Sequence, residues 1–292
     1  MRARTTQTTR AFTLIELLVT IIIIAILMGL LLVGFSAAIR GARSAAARQD
    51  ASALRMGVEQ FRTQFGFLPP LVKDGYPGQP GSAGKPIDKD RPVIFDAGVS
   101  ADRDYLRDET PDADYRYSVH SIPYYLMCAL GKDVDGFDGP SAYRPTREGY
   151  FDPRGSERYE ALFEPKGGGV VDVDQPAGQG RLELQDRNGV AYRFYRWLPG
   201  DTNGEVKSAD DFNYPLLLDN PRAGAKASDD NVALRSAEFA IVSAGPDGVF
   251  GDIPIEDLAT IETALGKRFG GSDADEKAEE AARRDNIVEV GR

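Results

Sequence analysis

The hydrophobic pattern of the chain begins with one long apolar run, AFTLIELLVTIIIIAILMGLLLVGF at residues 11–35, which contains a single acid, Glu16. A helix needs about 20 apolar residues to cross the hydrocarbon of a bilayer, so the segment 12–35 predicts a transmembrane helix. A carboxylate in hydrocarbon costs roughly 2.5 to 3.5 kcal/mol even on lenient insertion scales. The position of Glu16 therefore indicates a partner charge in an assembled state. The alternative interpretation is that Glu16, at the edge of the run, reaches the lipid headgroups.

Beyond the apolar run, the pattern changes to that of an amphipathic helix. Its apolar face carries residues at i, i+4, i+7 and i+11: Leu54, Val58, Phe61 and Phe65. Several alanines between 45 and 53 favour helix, and Gly66 followed by two prolines at 69–70 ends it. We therefore predict that the helix continues as a stem over residues 36–66 and that this stem packs on a globular domain.

The remaining residues, 67–292, alternate short strand patterns with turn-rich loops. The clearest strands are 181–185 and 190–197, which flank Asn188-Gly189, a pair suited to a tight hairpin turn. Another strand is predicted at 238–244, short helices at 121–131, 255–269 and 273–284, and loops over 73–114. These elements predict an α+β fold, in which a long N-terminal transmembrane and stem helix packs on a small antiparallel sheet with accessory helices and long loops.

Charge is unevenly spread along the chain. Residues 1–66 carry eight arginines and three acids, a net of +5, so the whole-chain charge of −10 leaves −15 for residues 67–292. Such an acidic surface disfavours nucleic acid as a partner, because nucleic-acid-binding proteins present clustered Lys and Arg. The only cysteine, Cys128, cannot form an internal disulfide, so the fold must be held by its core or by metal.

The leader at residues 1–11, MRARTTQTTRA, has three arginines and no acid. The positive-inside tendency keeps such a segment in the cytoplasm and exports the part of the chain beyond the span. The apolar run is longer than the roughly 7 to 15 residues of a secretory signal core. An ordinary signal cut near Ser36-Ala37-Ala38 is the alternative, although such a signal has no use for an acid at the start of its apolar segment.

With this leader in front of it, the string AFTLIELLV at residues 11–19 resembles the class III signal of type IV pilins and type II secretion pseudopilins. The resemblance implies that a prepilin peptidase cuts between Ala11 and Phe12 and methylates the new amino terminus. Two positions depart from the family pattern. Ala11 replaces the usual glycine before the cut, and Val33 stands near the place where the span often has a proline.

Cleavage before Phe12 would create a partner for Glu16. The freed amine lies one helical turn from this acid, and a neighbouring subunit displaced along a filament axis could pair its own Glu16 with it. The resemblance further implies a single-pass inner-membrane protein with its C-terminal domain in the periplasm, which later enters a pseudopilus or a cell-surface filament. Its implied partners are other pilin or pseudopilin subunits, an inner-membrane assembly platform and an assembly ATPase. The ATPase must be a separate protein, because the chain lacks a phosphate loop of its own.

Two acidic loops are candidate calcium sites. The first, DVDGFDG at 133–139, places Asp133, Asp135 and Asp138 among glycines, as a hard cation prefers. It is not an EF-hand, because Arg144 occupies the position where that loop needs a bidentate glutamate. Asp and Gly are also ordinary turn residues, so a plain surface loop is the alternative.

The second loop, SAGPDGVFGD at 243–252, resembles the calcium loop of major type II pseudopilins. Asp247 and Asp252 would bring negative charge, and the glycines would let backbone carbonyls approach the ion. The resemblance adds a later segment to the site, for which Asp285 and Asn286 are the candidates. The stretch between Asp252 and Asp285 is longer than the family pattern.

Three classes of function are compatible with these features. The leading class is a structural subunit that performs no reaction, is processed by prepilin peptidase and polymerises through its N-terminal helix. The alternative is a minor or tip subunit that acts as a calcium-dependent exported binding module or adhesin. A membrane-tethered hydrolase using carboxylates such as Glu160 and Glu164 is disfavoured, because the many acids show no distinguishing spacing.

Overall fold

The computed structural model describes residues 14–74, 94–96, 98–107, 115–130, 135–137, 139–155, 157–165, 169–172, 182–198, 215–218, 232–253 and 255–292. It has two compact units, residues 1–43 and residues 44–292. Helices and antiparallel strands are mixed, in agreement with the predicted α+β class. The predicted boundaries between leader, span, stem and exported domain stay predictions.

The helices are α1, Leu14–Phe65; α2, Ser100–Arg107; α3, Ser121–Tyr125; α4, Val232–Arg235; α5, Leu258–Leu265; and α6, Ala274–Arg283. The strands are β1, Tyr117–Ser118; β2, Ser141–Tyr143; β3, Arg158–Glu160; β4, Gly169–Asp172; β5, Leu182–Gln185; β6, Arg193–Arg196; β7, Phe239–Ser243; and β8, Ile287–Gly291. Two 3-10 turns, Leu216–Leu218 and Gly245–Asp247, complete the regular structure of the described residues.

Helix α1 begins in the first unit, where its large apolar side chains from Leu14 to Met28 are exposed. Within the stretches of chain that the structure describes, no helix combines the length and the apolar character needed to cross a bilayer. The helix ends at Phe65, where Gly66 takes the left-handed conformation with φ 80° and its N–H bonds the carbonyl of Arg62. The glycine thus ends the helix where the sequence predicted.

In the second unit, the predicted apolar face of α1 lies in the core. Leu54, Val58 and Phe61 are fully buried, and Phe65 is partly buried against Phe61 and Tyr159. Burying each of these large side chains is worth about 1.5 to 3 kcal/mol. The apolar face of the stem after residue 44 is therefore part of the core of the folded unit.

The main sheet of the second unit has four antiparallel strands in the order β1-β6-β7-β8. Two separate pairs, β2 with β3 and β4 with β5, are also antiparallel. The predicted strands near 181–185, 190–197 and 238–244 appear as β5, β6 and β7. The sequence did not predict β8, which pairs along all of β7 from Ser243–Ile287 to Phe239–Gly291.

The predicted tight turn at Asn188-Gly189 takes a different form. The N–H of Gly189 donates to the carbonyl of Asp186 at 3.1 Å, and the N–H of Asp186 donates to the carbonyl of Val190 at 2.8 Å. Gly189 has φ 83°, so this is a three-residue loop with glycine in the left-handed position rather than a two-residue turn. The two strands it joins belong to different sheets.

The predicted helix at 121–131 is too long. Helix α3 ends at Tyr125, and the chain then turns through Cys128, which has φ 50°. A non-glycine residue in the left-handed region cannot continue an α-helix, so the remaining residues form an irregular buried segment. The predicted helices at 255–269 and 273–284 contain α5 and α6. The side chain of Asp257 caps α5 by accepting from the N–H of Thr260 at 2.7 Å.

Candidate functional site

The first candidate site is the N-terminal turn of α1. Glu16 lies in this turn, is exposed, and is surrounded along the helix by exposed Leu14, Ile15 and Leu17. An acid is favoured near a helix N-terminus by the macrodipole. The turn thus presents an anion within an apolar surface. The predicted processing residues Ala11 and Phe12 lie outside the described residues.

The second candidate site is the acidic loop after β7. The chain leaves the strand at Ser243, forms the 3-10 turn Gly245–Asp247 and reverses at Gly248, which has φ 78°. Side chains from the β5–β6 loop hold its beginning. The hydroxyl of Ser243 donates to Asp186 Oδ2 at 2.7 Å, and the side-chain amide of Asn188 donates to the carbonyl of Gly245 at 3.0 Å.

The second half of the loop is held by residues later in the chain. The carboxylate of Glu256 accepts from the N–H of Phe250 at 2.9 Å and from the N–H of Gly251 at 2.8 Å. The guanidinium of Arg283 donates to the carbonyl of Gly251 at 2.8 Å. Sequence reasoning missed both side chains, because Glu256 and Arg283 resemble the ordinary charged residues found at helix ends.

The loop brings Asp247 together with Asp285. The N–H of Asp247 donates to Asp285 Oδ2 at 3.3 Å, and the close approach needs Gly245, since a Cβ there would clash with the carbonyl of Asp285. Burial raises the pKa of Asp247 to about 8, and the charge of Asp285 adds to this effect. The long stretch between Asp252 and Asp285 does not keep Asp247 away from Asp285. Its helices α5 and α6 fold back over a small core formed by Val249, Ile261, Ala278 and Ala282.

Asn286 follows Asp285 in the chain and is hydrogen-bonded to the same loop. Its side-chain NH₂ donates to the carbonyl of Phe250 at 2.8 Å, and its buried Oδ1 has no hydrogen-bond partner among the described residues. A buried acceptor without a donor is uncommon and calls for an explanation. Carboxylate and amide oxygens are the ligand types that calcium prefers.

Asp252 has a different environment from the one expected of a calcium ligand. Its Oδ2 lies 2.8 Å from Nη1 of Arg193, and the two side chains are only 9% and 6% exposed. The guanidinium of Arg193 also lies between two aromatic rings, 4.3 Å from that of Tyr117 and 3.8 Å from that of Phe250. The charge of Asp252 is thus offset by a buried cation, and the pair ties the loop to the sheet.

The first acidic loop is described only in part. Asp133 and Asp138 lie outside the described residues, and Asp135 is fully buried with its Oδ1 accepting from the N–H of Phe137 at 3.1 Å. Within the described ranges, the structure places no group of three or more His, Cys, Asp or Glu where they could hold a metal ion. The predicted role of the 133–139 loop in calcium binding stays a prediction.

Comparison with known families concerns the N-terminus of the chain. Residues 7–32 match the family described as the prokaryotic N-terminal methylation motif. This motif is the signature of the prepilin-type signal of type IV pilins and pseudopilins, so the resemblance predicted from residues 11–19 is confirmed. No curated protein and no solved structure matches the chain.

The matched motif covers the N-terminal residues 7–32 of the chain. It is pilin-like, and it implies processing by a prepilin peptidase and assembly with other pilin subunits. It also suggests a membrane-anchored N-terminus and a later place in a filament. Proteins with this motif are structural rather than catalytic.

Proposed function

We propose that the chain is a structural subunit of a type II secretion pseudopilus or of a type IV pilus-like filament. The observation that carries the proposal is the methylation motif at residues 7–32, which overlaps the start of the 52-residue helix α1. The core position of the later α1 residues supports it, because a subunit that polymerises through a helix needs that helix tied to its folded domain. The subunit itself performs no reaction.

Processing creates the charge that assembly uses. Prepilin peptidase cuts before Phe12 and methylates its amine, and the chain then waits as a single-pass inner-membrane protein with its C-terminal domain in the periplasm. An assembly platform and an ATPase supply the work of extraction. Apolar burial contributes little between helices in lipid, because the lipid tails are as apolar as the side chains. The pairing of Glu16 with the amine of a neighbouring subunit therefore sets the stacking register.

We further propose that the acidic loop binds calcium through Asp247, Asp285 and Asn286. The carboxylates of Asp247 and Asp285 are close enough that the charge of one disfavours ionisation of the other. Calcium would supply two positive charges that offset this repulsion. The raised pKa of Asp247 and the buried Oδ1 of Asn286 support this set. Asp252 is left out of it, because Arg193 already offsets its charge. The ion would fix the connection between β7 and β8, the central and edge strands that flank the loop.

N-terminal sequencing of the chain from membranes of cells with a prepilin peptidase tests the function. A methylated Phe12 as the first residue supports it, and a first residue near Ala38 contradicts it. The variant Ala11→Gly, which restores the residue usual before the cut, serves as the matched control. It should show the same first residue with faster processing.

A further inference from the structure

A cluster of three arginines shares no residue with either candidate site. Arg62 is in the last turn of α1, and its Nη1 lies 3.0 Å from Oε2 of Glu238. Arg196 ends β6 and pairs with Phe239, the residue after Glu238, and the charge of Glu238 acts on Arg196. The N–H of Trp197 donates to the carbonyl of Glu238 at 3.2 Å, which fixes this neighbourhood.

The third arginine joins the cluster through the segment just after α1. The guanidinium of Arg147, in the loop between β2 and β3, lies over the ring of Phe67 at 5.9 Å. Two residues further on, the carbonyl of Pro69 accepts from Nη1 of Arg196 at 3.3 Å. Arg147 and Arg196 are thus held against the same short segment, and Arg62 lies just before it in sequence.

The positive charge of the cluster is not balanced within the described part of the chain. Burial lowers the pKa of Arg196 to about 10; Glu238 opposes this shift, and the charges of Arg147 and Arg62 add to it. Within the described ranges, Glu238 is the carboxylate that contacts the cluster, through Arg62, and its side chain is 35% exposed. Three guanidiniums and one carboxylate leave about two positive charges among these described residues.

We infer that Arg62, Arg147 and Arg196 form a binding site for a phosphate-type oxyanion. A phosphate group carries about −1.5 to −2 at neutral pH, which matches the uncompensated charge, whereas a carboxylate would neutralise only half of it. Guanidinium groups bind such oxyanions through paired N–H donors in a fixed fork. Arg196 donates to Pro69 through Nη1, and among the described residues its other N–H groups stay available to a ligand.

The oxyanion has two sources with the same chemistry, a free phosphate compound and the headgroup of an anionic lipid. The test uses the full chain in nanodiscs of phosphatidylcholine, titrated with inorganic phosphate by calorimetry against chloride at equal ionic strength. We expect phosphate-specific binding that Arg147→Gln weakens roughly tenfold, because one charge-assisted hydrogen-bonding group is lost. Arg147 is exposed, so the variant keeps the core intact.

Arg154→Gln is the matched control, because Arg154 is an exposed arginine of the same loop that pairs with Asp152. It should bind phosphate as the wild type does. Repeating the titration in nanodiscs that contain phosphatidylglycerol identifies the source. Weaker phosphate binding there indicates that headgroups compete for the site, and equal binding indicates a free phosphate ligand. Absence of phosphate-specific heat, or equal binding by Arg147→Gln and the wild type, would overturn the inference.

Discussion

Replacing Arg193 by methionine removes the cation that offsets Asp252 beneath the acidic loop. The two groups are 2.8 Å apart and less than a tenth exposed, so the variant leaves a buried carboxylate without its guanidinium. Breaking a buried ion pair from one side costs roughly 3 to 5 kcal/mol. Contacts of the guanidinium with Tyr117 and Phe250 are lost as well, and desolvated cation–π contacts are worth up to about 2 kcal/mol. We therefore expect the free energy of unfolding to fall by at least about 3 kcal/mol.

The assay is urea unfolding of the full chain in neutral detergent, monitored by the fluorescence of Trp197, the one tryptophan, which is 3% exposed. The double variant Arg193→Met/Asp252→Leu removes both charges and should lose less than half as much stability, because no buried charge is left behind. The wild type, the two single variants Arg193→Met and Asp252→Leu, and this double variant together form a double-mutant cycle. Arg154→Met, which breaks a surface pair, should unfold like the wild type. A loss below about 1 kcal/mol for Arg193→Met would refute the reasoning.

Two further predictions concern calcium and the cysteine. Chelation of calcium should lower the melting temperature of the wild type, because a bound ion whose free concentration is 100 times its dissociation constant stabilises the folded state by about 2.7 kcal/mol. Asp247→Ala should abolish this sensitivity to chelation. Asp273→Ala, a change at an exposed position, should retain it. An unchanged melting curve on chelation would contradict the calcium proposal. Burial raises the pKa of Cys128 to about 12, so the thiolate is scarce at pH 8 and Ellman's reagent should modify the thiol only after unfolding. Rapid modification of the folded chain would contradict the buried position of Cys128.

Local signals predicted those elements whose ends are set by local chemistry. Gly66 ends α1 because glycine adopts the left-handed conformation needed there without steric cost, and this is visible in the sequence. Alternation of apolar and polar residues supported the strand predictions that became β5 and β6. The length of α3 was overestimated, because the left-handed conformation of Cys128 is imposed by packing and has no signal in the residue type.

Non-local pairing explains the features that the sequence did not reveal. Strand β8 forms only by pairing with β7, about 50 residues earlier in the chain, and its sequence lies at the end of a charged segment. Asp252 was assigned to calcium because it closes a glycine-rich loop, and its partner Arg193 is 59 residues away. By contrast, Asp285 was proposed as a ligand by resemblance alone, and in the structure its carboxylate accepts from the N–H of Asp247.

Fibre assembly by a Glu16→Ala variant tests the central claim most directly. The variant is expressed in cells with the complete assembly machinery, and fibres are counted by electron microscopy alongside sequencing of the amino terminus. Glu16→Asp, which keeps the charge, serves as the matched control. We predict that Glu16→Ala is processed before Phe12 but forms few or no fibres, whereas Glu16→Asp retains part of the wild-type yield. Normal fibres from the processed Glu16→Ala protein would contradict assembly through a charge pair at the N-terminus of α1.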